Sequence, residues 1–92
     1  MILRFGQRFR QQVDALPHAR QVEVLWACLQ IPAAFASPKQ HAGLGLRKVN
    51  PKGYWEIRVG LDLRVVFRLQ KSEATLVMVG NHDEVRRYLR NV

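Results

Sequence analysis

The amino-acid sequence predicts one α+β domain spanning residues 1–92. We expect a small, mainly antiparallel twisted sheet of three or four strands, with an N-terminal helical hairpin on one face and a short C-terminal helix. Two observations predict this fold class. Apolar and polar residues alternate in two segments between Tyr54 and Leu69, which is the period of half-buried strands. Upstream, apolar residues recur at helical spacing in two segments that Pro17 separates.

The two alternating segments are predicted to form a hairpin around the turn Gly60–Asp62. Both apolar sets must reach one buried face, which requires that facing residues share parity. A loop of these residues satisfies this condition, with a positive φ available at its glycine or its aspartate. The facing pairs on the open face are then Arg58–Arg64, Tyr54–Arg68 and Glu56–Val66.

The opposed arginines have two explanations. A cross-strand pair contributes roughly 0.2–1 kcal/mol in either direction, and like charges repel. Either both side chains extend into water while Glu56 offsets part of the repulsion, or Arg58 and Arg64 form a fork for a phosphate, because guanidinium donors match phosphate oxygens.

Helices are predicted on both sides of Pro17. The first covers about Gln7 to Leu16, and Pro17 suits the first turn of a second helix from His18 to about Gln30. We expect Trp26 to be a core residue, because it belongs to the predicted packed stripe Val22, Leu25, Trp26 and Leu29.

The remaining segments are less regular or shorter. Met1–Phe5 predicts a short first strand, and residues 31–53 predict a long basic connection with a short strand at Leu46–Val49. Residues Thr75–Gly80 are apolar on both faces, which predicts a strand inside the sheet. Asn81 lies three residues before Glu84, the spacing of a capping box at the start of the last helix.

Composition narrows the class of partner. Fifteen Lys and Arg against seven Asp and Glu give a net charge of +8, which favours a polyanion such as nucleic acid. No apolar run reaches membrane-spanning length and no signal-peptide pattern is present, so we expect a cytoplasmic protein without membrane contact. Cys28 is the only cysteine, and the three histidines lack metal-ligand spacing, so we expect neither a metal nor another cofactor.

The segments GYWEIRVGLDLRVVF (Gly53–Phe67) and VGNHDEV (Val79–Val85) resemble the hairpin and the closing segment of the RelE/ParE toxin superfamily of bacterial toxin–antitoxin systems. The order of strand, helical hairpin, basic loop, three strands and short helix is similar along nearly the whole chain. One position departs from the pattern. Arg86 replaces the superfamily's tyrosine after the closing segment, and Tyr88 lies two residues later.

The resemblance implies a toxin neutralised by a cognate antitoxin, and it leaves two branches open. RelE-like members cleave mRNA on the ribosome, and by position Arg58 and Arg64 match their basic hairpin residues, while His82 matches the residue after the third strand. ParE-like members inhibit DNA gyrase without nuclease activity. We expect the mRNA endoribonuclease, with mRNA and ribosomal RNA as partners. An RNA-binding module or inactive toxin remnant is a third hypothesis.

Cleavage of RNA without metal requires a base for the 2′-hydroxyl, positive charge on the phosphorane and an acid for the 5′-oxygen. Histidine exchanges protons near neutral pH, so His82 is the candidate acid or base, unless it is only a surface residue at a helix start. Arg64 and Arg58 stabilise charge, because arginine stays protonated. Glu56 either acts as base or orients Arg58. Side chains expected to contact RNA are Arg47, Lys48, Lys52, Arg68, Arg86 and Tyr88.

Overall fold

The computed structural model describes residues 1–92. Five strands and four α-helices follow one another along the chain, with a 3₁₀ segment at Pro38–Leu44 after the third helix. The strands are β1 (Ile2–Phe5), β2 (Arg47–Lys48), β3 (Tyr54–Val59), β4 (Leu63–Gln70) and β5 (Glu73–Gly80). The helices are α1 (Gln7–Asp14), α2 (His18–Leu29), α3 (Ile31–Ala36) and α4 (His82–Arg90). No helix is long and apolar enough to cross a membrane.

The five strands form one sheet in the order β1-β5-β4-β3-β2. The expected α+β, mainly antiparallel architecture is confirmed, but the expected count of three or four strands is wrong. Both additional strands are edge strands: β1 pairs parallel with β5, and β2 contributes only two residues beside β3. Strands this short carry little periodic signal, so the sequence indicated each of them only weakly.

The hairpin of β3 and β4 has the predicted register. Arg58 faces Arg64, Tyr54 faces Arg68 and Glu56 faces Val66. Gly60 in the turn has φ +63°, the left-handed conformation that glycine adopts without a steric penalty. Parity of the apolar residues together with the three-residue turn was therefore sufficient to align the two strands.

One face of the sheet carries the larger core, which also contains residues of α1, α2 and α3. Fully buried strand residues such as Ile57, Val65 and Phe67 pack in the same cluster as Phe9 of α1 and Val24 of α2. The predicted stripe of α2 was wrong. Its members are exposed, and the buried residues along and just beyond the helix are Val24, Ala27, Cys28 and Ile31.

The opposite face of the sheet carries a smaller core beneath α4. Tyr54, Val66 and Met78 of the strands are buried together with Val85 of α4. The predicted capping box is confirmed, since the Asn81 side chain accepts from the Glu84 backbone N–H at 2.9 Å and the Glu84 carboxylate accepts from the Asn81 N–H at 2.8 Å. This reciprocal pair fixes the first turn of α4.

Candidate active site

The site is built where β2, β3 and β4 meet the first turn of α4. Arg58 and Arg64 project from the face that carries α4, not from the face with the larger core. Gly80, the last residue of β5, pairs with Arg64, and His82 follows two residues later as the first residue of α4. The register of β4 and β5 therefore brings the histidine to the end of the arginine pair.

Six residues line a surface cavity of about 400 Å³ at this place, which we call the arginine cavity. They are Gly45, Leu46, Arg47, Arg58, Arg64 and His82. Three predicted catalytic residues thus share one cavity, and Arg47 of the predicted RNA contacts joins them. Three guanidinium groups in one cavity create a strongly positive field, which favours a phosphate group.

Glu56 is the buried anion beside this cavity, with 3% of its surface exposed. One carboxylate oxygen, Oε2, accepts from Arg64 Nη1 at 2.7 Å and from Arg47 Nε at 3.0 Å. The sequence-based hypothesis that Glu56 orients Arg58 was wrong, because the carboxylate holds Arg64 and Arg47 instead. Charge-assisted bonds of this length fix the direction of both guanidinium groups.

Arg58 is not held by Glu56, unlike Arg64 and Arg47. It is exposed and makes no hydrogen bond within the chain, but its side chain packs against the backbone of Gly45. Gly45 has φ +67°, and a Cβ atom at that position would lie 2.5 Å from Arg58 Nε. Sequence reasoning missed Gly45. A glycine shortly before a basic strand was its only sequence signal.

The other predicted RNA contacts lie outside the arginine cavity. Lys48 and Lys52 are exposed, on and just after the edge strand that carries Arg47. Arg68 packs over the Tyr54 ring, with its guanidinium carbon 5.4 Å from the ring centroid, and donates to the Lys52 carbonyl at 3.3 Å. Arg86 is exposed on α4.

Tyr88 lies in a different place from the arginine cavity. Its ring contacts the ring of Tyr54 edge-on at 6.3 Å between centroids, and the Arg8 guanidinium carbon lies 5.3 Å from its centroid. Burial raises the pKa of the Tyr88 hydroxyl, and Tyr54 raises it further. Tyr88 lines a separate cavity of about 330 Å³ together with Arg8 and Arg87. It therefore packs with the smaller core and does not line the arginine cavity.

Cys28 is the only thiol of the chain. Cys28 is buried as expected, and desolvation raises the pKa of its thiol to about 12, which leaves the thiolate nearly unpopulated at neutral pH. No three His, Cys, Asp or Glu side chains lie together so as to hold a metal ion.

Comparison with solved structures shows which known proteins share this fold. The free E. coli toxin RelE, solved as a mutant, superposes with a TM-score of 0.67 at 14% identity, over 99% of this chain and 96% of that chain. RelE in the RelB–RelE antitoxin–toxin complex of Methanococcus jannaschii gives 0.65 at 17% identity, over 92% and 96%. The chain therefore has the RelE-like toxin fold.

A third solved structure has the same fold. E. coli YafQ gives a TM-score of 0.63 at 11% identity, over 90% of this chain and 94% of that chain. No protein-family model and no curated protein sequence matches the chain. At these identities the likeness concerns the fold, and the function has to be argued from the arginine cavity.

Proposed function

We propose that the chain is the toxin of a toxin–antitoxin system and that it cuts mRNA on the ribosome without a metal ion. The observation that carries the proposal is the arginine cavity, where Arg58, Arg64 and His82 meet. In the proposed reaction the 2′-oxygen attacks the adjacent phosphorus and the bond from phosphorus to the 5′-oxygen breaks. The products are a 2′,3′-cyclic phosphate and a 5′-hydroxyl.

The arginines stabilise the charge that develops on the phosphorane. Arg64 is the transition-state clamp, because one of its N–H groups is fixed on Glu56 while a quarter of its side chain remains exposed to substrate. Arg58 positions the phosphate, since none of its donors is engaged within the chain and its side chain rests on Gly45. Neither group changes protonation state, so both act by charge and hydrogen bonding.

His82 carries the proton transfer. It is the only side chain lining the arginine cavity whose type exchanges a proton near neutral pH. The capping box of Asn81 and Glu84 holds the backbone on either side of it, which limits where the imidazole can lie. It acts either on the 2′-hydroxyl as base or on the 5′-oxygen as acid.

Glu56 acts as a positioning residue in this proposal, not as the base. Its carboxylate is buried and does not line the arginine cavity, and its Oε2 atom accepts from two arginines, so its contacts within the chain are those of a group that holds them in place. The carboxylate also offsets one of the three positive charges of the arginine cavity. RNA approaches along the exposed edge of β2, where Arg47, Lys48 and Lys52 present their charges to the phosphate backbone.

An antitoxin is the expected protein partner. The RelB–RelE and DinJ–YafQ complexes have toxins of the same fold as this chain. An acidic or amphipathic segment laid over the open sheet face or the arginine cavity would neutralise the excess positive charge and exclude RNA. Because ribosome-bound mRNA is the proposed substrate, we place the activity in the cytoplasm.

Inhibition of DNA gyrase is the alternative function, and one observation favours it. No tyrosine lines the arginine cavity. Tyr88 of α4 packs against Tyr54 instead, and Arg86 occupies the position where the resemblance calls for tyrosine. Under this alternative the basic surface binds a protein or DNA, and no phosphodiester bond of RNA is cut.

The test is to map mRNA 5′ ends in cells after induction of the toxin. Wild-type protein is expected to create new 5′ ends within translated codons, and Arg64→Ala and His82→Ala to abolish them. Arg90→Ala removes an exposed arginine of the last turn of α4 outside the arginine cavity and is expected to cut as wild type does. Intact mRNA together with early DNA damage would refute the nuclease and support the gyrase alternative.

A further inference from the structure

A second cavity of about 370 Å³ shares Arg58 with the arginine cavity, and we call it the Trp26 cavity. Besides Arg58, its polar and aromatic lining comes from Glu23, Trp26, Gln30, Gln40 and His41. Glu23 is already paired with Arg20 at 3.3 Å. The volume lies within the roughly 300–1,000 Å³ typical of ligand sites. Apart from Arg58, none of the residues that line it takes part in the proposed cleavage.

Trp26 is the largest side chain of this cavity and is 67% exposed. It makes no contact with another aromatic ring and no cation–π contact with an arginine. An indole left open beside a basic site is a stacking surface, because proteins that bind single-stranded RNA stack unpaired bases on aromatic side chains. The exposed ring thus has the chemistry of a base-binding platform.

The amides and the imidazole supply hydrogen-bonding groups around that platform. The Gln30 amide nitrogen donates to the Trp26 carbonyl at 3.4 Å, which leaves the amide oxygen without a partner in the chain. His41 Nδ1 lies 3.0 Å from the Ser37 carbonyl. A carbonyl can only accept, so Nδ1 carries the hydrogen, and Nε2 of the neutral ring is an acceptor. Gln40 forms no side-chain hydrogen bond and is exposed.

We propose that the Trp26 cavity binds one unpaired RNA base, that of the nucleotide next to the phosphate held in the arginine cavity. Arg58 lines both cavities, so the two cavities are neighbours. In this proposal the nucleotide attached to a phosphate in the arginine cavity extends into the Trp26 cavity. Trp26 stacks on the base, and the glutamine amides contact its edge, as amides do with paired donors and acceptors of bases. The proposal rests on the proposed function, because it assumes an RNA phosphate at Arg58.

The test measures binding of a short single-stranded RNA whose 2′-hydroxyls are methylated, so that it cannot be cut. Trp26→Ala is expected to weaken its affinity by about 5- to 150-fold, the range for one base–aromatic stack. Leu29→Ala removes another exposed apolar side chain of α2 that does not line the cavity, and it is expected to bind as wild type does. In a Trp55→Phe variant, which leaves Trp26 as the only tryptophan, the RNA is expected to quench the fluorescence.

The outcomes separate this proposal from the nuclease proposal. Wild-type cutting of ribosome-bound mRNA, with Trp26→Ala equal to wild type in RNA affinity, would overturn the base site and leave the nuclease intact. Saturable quenching of Trp26 with no cutting by wild-type protein would leave the base site intact and remove the nuclease. If Trp26→Ala keeps full RNA affinity but loses affinity for the antitoxin, this face of α2 is a protein interface and the base site is refuted.

Discussion

Glu56→Gln tests whether the buried carboxylate holds the catalytic arginine. The substitution preserves shape and one acceptor, but it removes the charge on which Arg64 and Arg47 converge. A hydrogen bond to a charged group contributes about 1.5–3 kcal/mol. Arg47 is 65% exposed and its share is screened by water, whereas Arg64 is 25% exposed. We therefore expect a loss of about 2 kcal/mol in the free energy of unfolding, mostly through Arg64.

That loss corresponds to a fall of about 8–16 °C in Tm for a domain of this size. Thermal unfolding by circular dichroism measures it directly. The matched control is Glu73→Gln, which makes the same change of charge in an exposed pair with Arg4 and is expected to leave Tm close to wild type.

The kinetics separate positioning from base catalysis. Glu56→Gln makes the chain more positive, so RNA binding is not expected to weaken, and KM for programmed ribosomes should stay near wild type. The cleavage rate at saturation should fall 10- to 100-fold, roughly, because a displaced clamp loses transition-state contacts. A variant with wild-type Tm and wild-type cleavage would refute the clamp. If the Glu56→Gln variant keeps the wild-type Tm but loses both the cleavage rate and the acidic limb of the pH–rate profile, Glu56 is the base instead.

If His82 is the proton-transfer group, removing it by His82→Gln should abolish the limb of the pH–rate profile near neutral pH, and a limb that persists would assign the proton to another group. Gly45→Ala should lower the free energy of unfolding by about 1–2 kcal/mol, because residue 45 has a left-handed backbone, and should slow cleavage by displacing Arg58. The control Gly43→Ala adds a Cβ that meets no neighbouring side chain or distant backbone within 4 Å, so it should change neither stability nor cleavage. Cys28 should resist a thiol reagent at pH 8, because a pKa of about 12 leaves about one thiolate in ten thousand. Its labelling rate should therefore equal the rate of global unfolding, measured by fluorescence. Fast labelling of the native protein would contradict the burial of Cys28.

The hairpin could be predicted from sequence because the parity of the apolar residues and the length of the turn together determine its register. A strand exposes alternate residues, so aligning the apolar sets of β3 and β4 leaves only registers that place Arg58 opposite a residue of its own face. The short turn then selects Arg64. The capping box of α4 was predictable for a similar reason, since it depends on two side chains at a fixed local spacing.

The packed face of α2 could not be predicted from residue size. Val22, Leu25, Trp26 and Leu29 form the bulkier stripe, but the buried stripe starts at Val24, two residues and about 200° further around the helix. Ala27 and Cys28 are small, which lets the helix approach the sheet closely, and the fit between layers decided the orientation. Fit across layers is a tertiary property that a single helix does not encode.

The position of His82 depends on a feature that the sequence did not reveal. A register shift between Val66 and Phe67 leaves Val77 of β5 as an extra residue, so Arg64 pairs with Gly80. Without the extra residue, Arg64 would face Val79 and the start of α4 would be displaced by one residue along the strand. The imidazole would then leave the end of the arginine pair. The bulge, and no local motif, brings the chemistry together.

The single buried carboxylate explains how so basic a site can remain folded. Three arginines around one cavity repel one another, and each would otherwise turn into water. Glu56 lies between β2 and β4 and ties Arg47 to Arg64, while Arg58, without a carboxylate, rests on the Cα of a glycine that leaves it room. Two arginines are thus fixed, and one stays free to bind. The free arginine can capture a phosphate, and a fixed one can then stabilise the transition state.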